Sequence, residues 1–588
     1  MSLSVNIKDL DVLTSNAKQI QDDVLKEILT LNANTEYLQR FLHGSSDKDL
    51  FKKNVPVVSY DDVKPYIERV ANGEPSDVIS GGPITRFLRS SGTTGGKEKI
   101  FPINDKYIET LRYLVALFSL LTSKHFNDND AKKGKKMLFL YNRSESTTPS
   151  GLMVALASTS FVMSPYFTNP PSKSNSYYTS PDQVILCPDN NQSVYCHLLC
   201  GLSRRDEVVG VGSSFAYALV QAINVLQIYW KELSSNIRSG HVSKWITDLN
   251  CRNSVSAILG GPNPELADMI EKECSNKSWE GIITRLWPKA KYFECIITGQ
   301  MAQYIPTLEF YSNKLPIVST IYGSSESLFG INMDPLSKPQ DVSYTFLPNI
   351  SYFEFLPVDH EGDMASIVDL VDVKLGCYYE PVITNYFGLH RYLIGDILEV
   401  TGFYNSTPQF RFVRRKNMVL SVEIEETTEE DILKASARAT LVLDQSTNLM
   451  LTGFTCHADI STFPGHYVFY WELKAKDVNY VFQLDENVLA ECCYALEESF
   501  DVFYRKLRSK DGLIGALEIR VVQQGTFDSL MEYFISQGGS IGQYKTPMCI
   551  KSSEALAVLE NKVLARFYSK KISSSGLIVY FCVLKCFE

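Results

Sequence analysis

Histidine is scarce in this chain, and an excess of basic charge is missing: 8 His occur in 588 residues, and 57 Lys and Arg stand against 67 Asp and Glu. A net charge of −10 argues against a dedicated nucleic-acid binder, which carries a basic face. No second Cys/His pair at zinc spacing follows Cys196, His197 and Cys200, so these read as buried groups on a helix rather than as metal ligands. No repeat of 20–50 residues is visible, which excludes a solenoid. The start, MSLSVNIKDL, has no signal-peptide pattern, and the 13 cysteines are odd in number. Together these point to a reducing, cytoplasmic compartment. The apolar run Leu577–Leu584 near the end is far short of the ~20 residues a bilayer span needs, so no membrane association is expected. Two nucleotide-binding signatures are also missing. There is no G-x-G-x-x-G, and Gly92–Lys97 has the wrong length and ending for a P-loop. Gly538–Gly542 fits G-x-S-x-G, but no histidine follows His466, so it reads as a glycine-rich turn.

What is present is an ordinary globular composition, 45% hydrophobic and 21% charged. Apolar residues at helical spacing predict two helices over 8–42, with a break near Asn32–Asn34, and a strand-like run at 54–60. Asn104–His125 reads as a helix capped by Asn104. Short β-rich runs at 135–142, 182–187, 254–261, 292–299 and 315–323 alternate with helical patterns at Ala216–Leu233 and Pro264–Cys274. That alternation predicts α/β architecture with parallel sheets covered by helices. The acidic run 423–431 reads as a hinge. Within it, Thr427 and Glu430 fit a capping box that opens the next helix. Beyond it a smaller α+β unit is expected, with strands at His466–Leu473 and Leu517–Val522 and helices near 487–507.

Several segments carry chemistry. Ser90–Ser91–Gly92–Thr93–Thr94–Gly95–Gly96–Lys97 packs hydroxyls and unobstructed N–H groups that suit phosphate oxygens. The same composition also describes an exposed turn. Tyr322–Gly323–Ser324–Ser325–Glu326 follows an apolar strand. Its ring can stack on a base, its hydroxyls can bind oxyanions, and Glu326 offers oxygen to Mg²⁺. Thr298–Gly299 ends another strand, and Gly395–Asp396 places a carboxylate where it can accept ribose hydroxyls.

In this order the segments resemble the adenylate-forming superfamily, and within it the plant Gretchen Hagen 3 acyl acid amido synthetases. The resemblance rests on 90–99 (SSGTTGGKEK), 178–202, 322–332 (YGSSESLFGIN), 400–417, 463–468, 525–531 and 542–547 (GQYKTP), and spans roughly 10–568. In texture it is nearest the benzoate-type branch. It implies a large N-terminal domain of β-sheets flanked by helices (1–420), a hinge (421–431), a smaller mobile α+β C-terminal domain (432–568) and an atypical tail (569–588). It also implies a monomer that uses ATP and Mg²⁺. An acyl acid is adenylated with loss of pyrophosphate, and the acyl group then passes to the amine of an amino acid with release of AMP.

By position, Ser90, Ser91, Thr93 and Thr94 would bind ATP phosphates. Thr298, Gly299, Tyr322, Gly323, Ser324 and Ser325 would line the nucleotide pocket, with Glu326 near Mg²⁺. Asp396 would hold the ribose, and Lys545 would bring a positive charge to the α-phosphate. Val115, Phe118, Ser214, Phe215, Leu328 and Phe329 would line the acyl pocket, although Val115 and Phe118 equally fit core packing. Three positions depart from the family pattern, each removing positive charge: Leu393 in place of Arg in Y-R-x-G-D, Glu426 in place of a hinge Lys, and Met548 in place of Arg in K-T-P-R. Lys97, Lys99, Arg414 and Arg415 are the candidate compensators. The departures also open a second reading, a degenerate paralogue that binds acyl acid or nucleotide with little or no turnover.

Overall fold

The computed structural model describes residues 6–90, 99–126, 134–140, 146–168, 177–358, 366–416, 419–477, 479–538 and 544–570. It divides into two compact units. The first comprises Met1–Glu271, Leu286–Thr298 and Leu315–Val413; the second comprises Lys272–Arg285, Gly299–Lys314 and Arg414–Glu588.

The first unit holds three sheets. One is wholly parallel, in the order Lys135–Phe139, Val208–Phe215, Tyr292–Ile296, Ile317–Val318. Its helices Asn190–Ser203 and Ala216–Ser239 follow the expected βα pattern. Gly201 lets the first of these close on the sheet, because a Cβ there would sit 2.1 Å from the Met137 sulfur. A second, four-stranded sheet pairs Arg86–Arg89 antiparallel with Ile100–Ile103 and parallel with Met153–Ala155. The third is a nine-stranded, antiparallel sheet running from Val368–Asp369 through Tyr352–Pro357, Tyr378–Thr384, Asp396–Tyr404 and Thr407–Arg415 to Ile321–Gly323. It has an aromatic core in which the Phe346 ring meets Phe329, Phe353 and Phe410 at tilted angles and Phe355 stacks on Phe410.

The second unit is a four-stranded sheet in the order Leu449–Asp459, His466–Ala475, Glu518–Val522, Val563–Tyr568. The His466–Ala475 strand shows the period-2 logic of a doubly covered sheet. Tyr467, Phe469, Trp471 and Leu473 face a core shared with helices Glu429–Ser446 and Glu486–Glu497. Val468 and Tyr470 face one shared with Thr526–Ser536 and Ser553–Glu560.

Local expectations fared unevenly. The Asn104-capped helix is Asp105–His125, with the Asn104 side chain accepting from Lys106 N at 3.1 Å. Pro264–Cys274 is helical as expected, and Cys196, His197 and Cys200 lie buried on their helix. Residues 8–42 form three helices, since Asn16 breaks the first pattern as well. The 54–60 run is not a strand; only Val58 makes a bridge, to Tyr392. Two expected strands are helices. Asp182–Ile185 is a single turn after Pro181, and 254–261 is the end of Leu249–Leu259, stopped by left-handed Gly260. Both runs are apolar and short, and such runs do not distinguish a strand from a buried helix turn. The capping box is one residue later than expected, at Thr428 and Asp431. Thr427 instead pairs with Leu420 in a small ribbon and bonds the Tyr467 hydroxyl. The acidic run is not wholly solvated. Glu425 is buried and accepts from Val422 N, Glu423 N and the Tyr467 hydroxyl. Residues 539–542 and 571–588 lie outside the described residues. No helix among the described residues is long and apolar enough to cross a membrane.

Candidate functional site

The strands on either side of the loop expected to hold phosphates, Arg86–Arg89 and Ile100–Ile103, pair antiparallel. Ser90 ends the Arg86–Arg89 strand; its N–H donates to Lys99 O at 2.8 Å and its Oγ accepts from Lys99 N at 3.1 Å. Ser91, Thr93, Thr94 and Lys97 lie outside the described residues. Beside this strand pair runs the 322–326 turn. Ser324 N donates to Ser327 O, Ser324 Oγ accepts from Glu326 N, and Ser325 Oγ donates to the carbonyl of Arg89 at 3.4 Å. The turn is therefore tied to the strand that launches the hydroxyl-rich loop.

Tyr322 and Asp396 meet. The buried phenol donates to Asp396 Oδ2 at 2.6 Å, and its ring stacks on Phe329 at 4.6 Å. Gly395 sits at φ +82°, the left-handed turn that delivers Asp396 to the start of its strand. Thr298 belongs to the same set. It and Ser319 bond the Tyr344 hydroxyl, whose pKa burial raises and these bonds oppose. The Tyr344 ring lies 5.6 Å from that of Tyr322.

The Glu326 charge acts on three tyrosines. Burial raises the pKa of Tyr107, of Tyr392 and of Tyr60, and the Glu326 charge raises each further. Asn385 donates to the Glu326 carbonyl at 2.9 Å and accepts from Phe387 N and Leu389 N, which locks the chain around the turn. The Lys99 ammonium lies 5.0 Å from the centre of the Tyr60 ring. Sequence reasoning did not single out Tyr60, Tyr107, Asn385 or Tyr392. Their signal is tertiary, because they come from three separate segments.

The acyl-pocket candidates fall in two places. Ser214 and Phe215 are half-buried at the carboxyl end of a central parallel strand, where Phe215 pairs with Ile296. Such ends are where open parallel sheets receive ligands. Val115 is half-exposed, whereas Phe118 is buried under the Lys136 ammonium, 5.7 Å from its ring centre. Leu328 and Phe329 are buried in the aromatic core. Lys136 forms a 2.8 Å ion pair with Glu294 across the middle strand, over Gly210 and Gly212. A Cβ at Gly212 would lie 2.4 Å from the Glu294 carbonyl.

Gly299 and Lys545 belong to the second unit. Gly299, at φ +57°, opens the turn Gly299–Tyr304. Lys545 is half-buried and precedes Thr546, whose hydroxyl bonds the buried Tyr304 hydroxyl at 2.7 Å. Residues 548–550 then run beside Cys456: Cys456 N donates to Met548 O and Ile550 N to Cys456 O, each at 2.8 Å.

The three departures differ in setting. Leu393 is half-buried beside Val382. Its neighbour Arg391 does not replace the missing guanidinium, because it is engaged by Glu354 at 3.0 and 3.1 Å and by the carbonyls of Lys52 and Val55. Glu426 is exposed, and Met548 is 0% exposed in the second unit's core. Arg414 and Arg415 are half-buried. Among the described residues no cluster of three His, Cys, Asp or Glu forms a preorganised metal cage.

Three family models match successive parts of the chain. Residues 6–317 match the GH3 family N-terminal domain, 344–415 the GH3 family central domain and 430–554 the GH3 family C-terminal domain. The chain is 59% identical over 566 residues to the 4-substituted benzoates-glutamate ligase GH3.12 of Arabidopsis thaliana, covering 96% of this chain and 98% of that protein. It is 51% identical over 588 residues to the indole-3-acetic acid-amido synthetase GH3.17 of the same plant, covering 96% of each. The structure of GH3.15 acyl acid amido synthetase superposes with a TM-score of 0.90 at 48% identity, covering 98% of this chain and 100% of that one.

Proposed function

The chain belongs to the GH3 family, and on that premise we infer that it is an acyl acid amido synthetase, a ligase that joins an acyl acid to the amine of an amino acid at the expense of ATP. The observation that carries this reading is the buried Tyr322–Asp396 hydrogen bond beside the 324–326 turn. It sets the Tyr322 ring, the proposed ribose carboxylate and the proposed oxyanion-binding hydroxyls at neighbouring strand ends.

A carboxylate attacking a phosphate meets like charge, so donors held in place before the reaction lower the barrier. Ser90, with Ser91, Thr93 and Thr94 beyond it, is the proposed phosphate donor set. Ser324, Ser325, Thr298, Gly299 and Gly323 complete the nucleotide pocket. Asp396 takes the ribose, and Lys545 is the proposed cation for the α-phosphate. Glu326 is the proposed Mg²⁺ ligand, in the mode where one protein carboxylate is joined by nucleotide phosphates. Mg²⁺ bound there would offset phosphate charge. Val115, Phe118, Ser214, Phe215, Leu328 and Phe329 are the proposed surroundings of the acyl group. The proposed domains are 1–420 and 432–568, with 421–431 as the hinge that lets the two half-reactions use different arrangements. The proposed location is the cytoplasm, as a monomer.

The proposed substrates are a benzoate-like aromatic acid and an acidic amino acid, after those in the name of the 59%-identical benzoates-glutamate ligase. ATP–pyrophosphate exchange with 4-substituted benzoates and indole-3-acetate tests the first step, and AMP release on adding glutamate tests the second. Exchange with at least one acid is expected. Silence across the panel from a folded sample overturns the reading, and calorimetric uptake without AMP release would make the chain a binder instead.

A further inference from the structure

Two cysteines of the second unit meet where the segment after Lys545 lies along the sheet. Cys456 on the Leu449–Asp459 strand and Cys549 have their sulfurs 3.2 Å apart. The backbone holds them in register from both sides, through Cys456 N to Met548 O and Ile550 N to Cys456 O, each 2.8 Å. Their exposures differ. Cys456 is fully buried, and Cys549 is partly open to solvent. A partly exposed thiol beside a buried partner in contact is the arrangement of an attacking and a resolving cysteine. Cys187 and Cys251 also interact, but both are buried.

We propose that Cys456 and Cys549 form a thiol–disulfide modification site that takes a low-molecular-weight disulfide such as oxidised glutathione. The Cys549 thiolate attacks one sulfur of glutathione disulfide, forming a mixed disulfide and releasing one glutathione thiolate. Cys456, whose thiol burial pushes upward, then gives up its proton as its sulfur attacks the Cys549 sulfur and releases the second glutathione. Two protein thiols are oxidised, one glutathione disulfide is reduced to two glutathione molecules, and the two thiol protons pass to solvent or to the leaving thiolates. Closing the sulfurs from 3.2 Å to the ~2.05 Å of a disulfide pulls on a segment whose register also places Lys545 and the Thr546–Tyr304 bond. Small displacements at a reacting centre cost rate steeply. The site's chemistry does not depend on the ligase reading, although its effect on turnover does.

The experiment equilibrates the full-length protein in buffers of rising glutathione disulfide to glutathione ratio, quenches in acid, blocks thiols under denaturing conditions and maps peptides. Trypsin places the two cysteines on separate peptides, 439–474 and 546–551, each with a single cysteine. The expected result is a linked pair of these peptides that accumulates with oxidation and disappears with dithiothreitol. C456S is expected to leave a persistent glutathione adduct on Cys549, and C549S to abolish both linkage and adduct at this site. Where the protein adenylates an acid, the oxidised form is expected to turn over at least threefold more slowly, reversibly. The proposal is overturned if Cys549 stays fully blockable while other cysteines oxidise, or if wild-type Cys549 retains a stable adduct with no link to Cys456. It is also overturned if the link forms in wild type yet turnover of C549S stays as sensitive to oxidation as that of wild type.

Discussion

Leu393 in the first unit and Met548 in the second both stand where the resemblance places an arginine, yet the two positions have little in common. Leu393 is half-buried on a two-residue strand, beside a turn that leads to Asp396. Met548 has no exposed surface and belongs to the apolar core of its sheet. Equal losses of charge on paper are thus a change at a site margin in one unit and a packed core side chain in the other. The second unit does bury an arginine, Arg520, but it surrounds that guanidinium with Glu518 at 2.6 Å, Asp459 at 3.2 Å, and Glu560. The lesson is that charge tolerance is set by partners rather than by depth alone.

The sharpest way to break this contrast is Met548→Arg. An unpaired charge in an apolar core costs about 3–5 kcal/mol, so the variant is expected to unfold well below wild type in a thermal melt. A stable, more active M548R would mean that the core opens toward the nucleotide, and the contrast would fail. Glu326→Gln removes a charge rather than adding one. Its expected effect is a loss of about 10²–10³ in kcat with the melting temperature little changed, read by pyrophosphate exchange. An unaffected E326Q would remove Glu326 from the site.

The Arg520 network provides a pH test. Burial pulls Glu518 upward, but hydrogen bonds from His466 and Arg520 outweigh it and hold the carboxyl at about 2, below its ordinary 4.5. A depressed carboxylate stabilises the fold fully above its unfolded value and loses that contribution as pH falls toward the folded value. Wild type should therefore lose up to ~3 kcal/mol between pH 4.5 and 2 from this group. Denaturant titrations should show a flatter acid limb for E518Q, together with lower stability at pH 7. An unchanged slope would show that the network does not hold the proton affinity of Glu518. The smallest effect expected is from Leu393→Arg, where a long side chain can reach outward along its stem. It should fold normally and raise kcat/KM for ATP about five- to tenfold, ~1–1.4 kcal/mol. No gain would indicate that Lys99, already over Tyr60, supplies the charge.

Legibility followed the range of the forces involved. The Asn104 cap, the Pro264–Cys274 helix and the His466–Ala475 strand were readable because a cap or an alternation within a few residues decides them. The runs 182–187 and 254–261 were misread because four to eight apolar residues carry no period, and packing chose helix for both. The capping box slipped by one residue because two threonines stand side by side; Tyr467 captured the first and left Thr428 to cap. At the site, Tyr322 and Asp396 were each visible as strand-end residues, but their 2.6 Å contact spans 74 positions.

By itself the sequence determined the family-bearing segments and their order, the α/β alternation of the parallel sheet and the side-chain chemistry available at each strand end. These depend on residue type and spacing along the chain. Only the tertiary structure decided that the Glu326 charge reaches Tyr60, Tyr107 and Tyr392, that Arg391 is committed to Glu354, that Met548 is core and that Cys456 touches Cys549. Those facts depend on which distant segments share a strand edge or a core, and no local pattern encodes that.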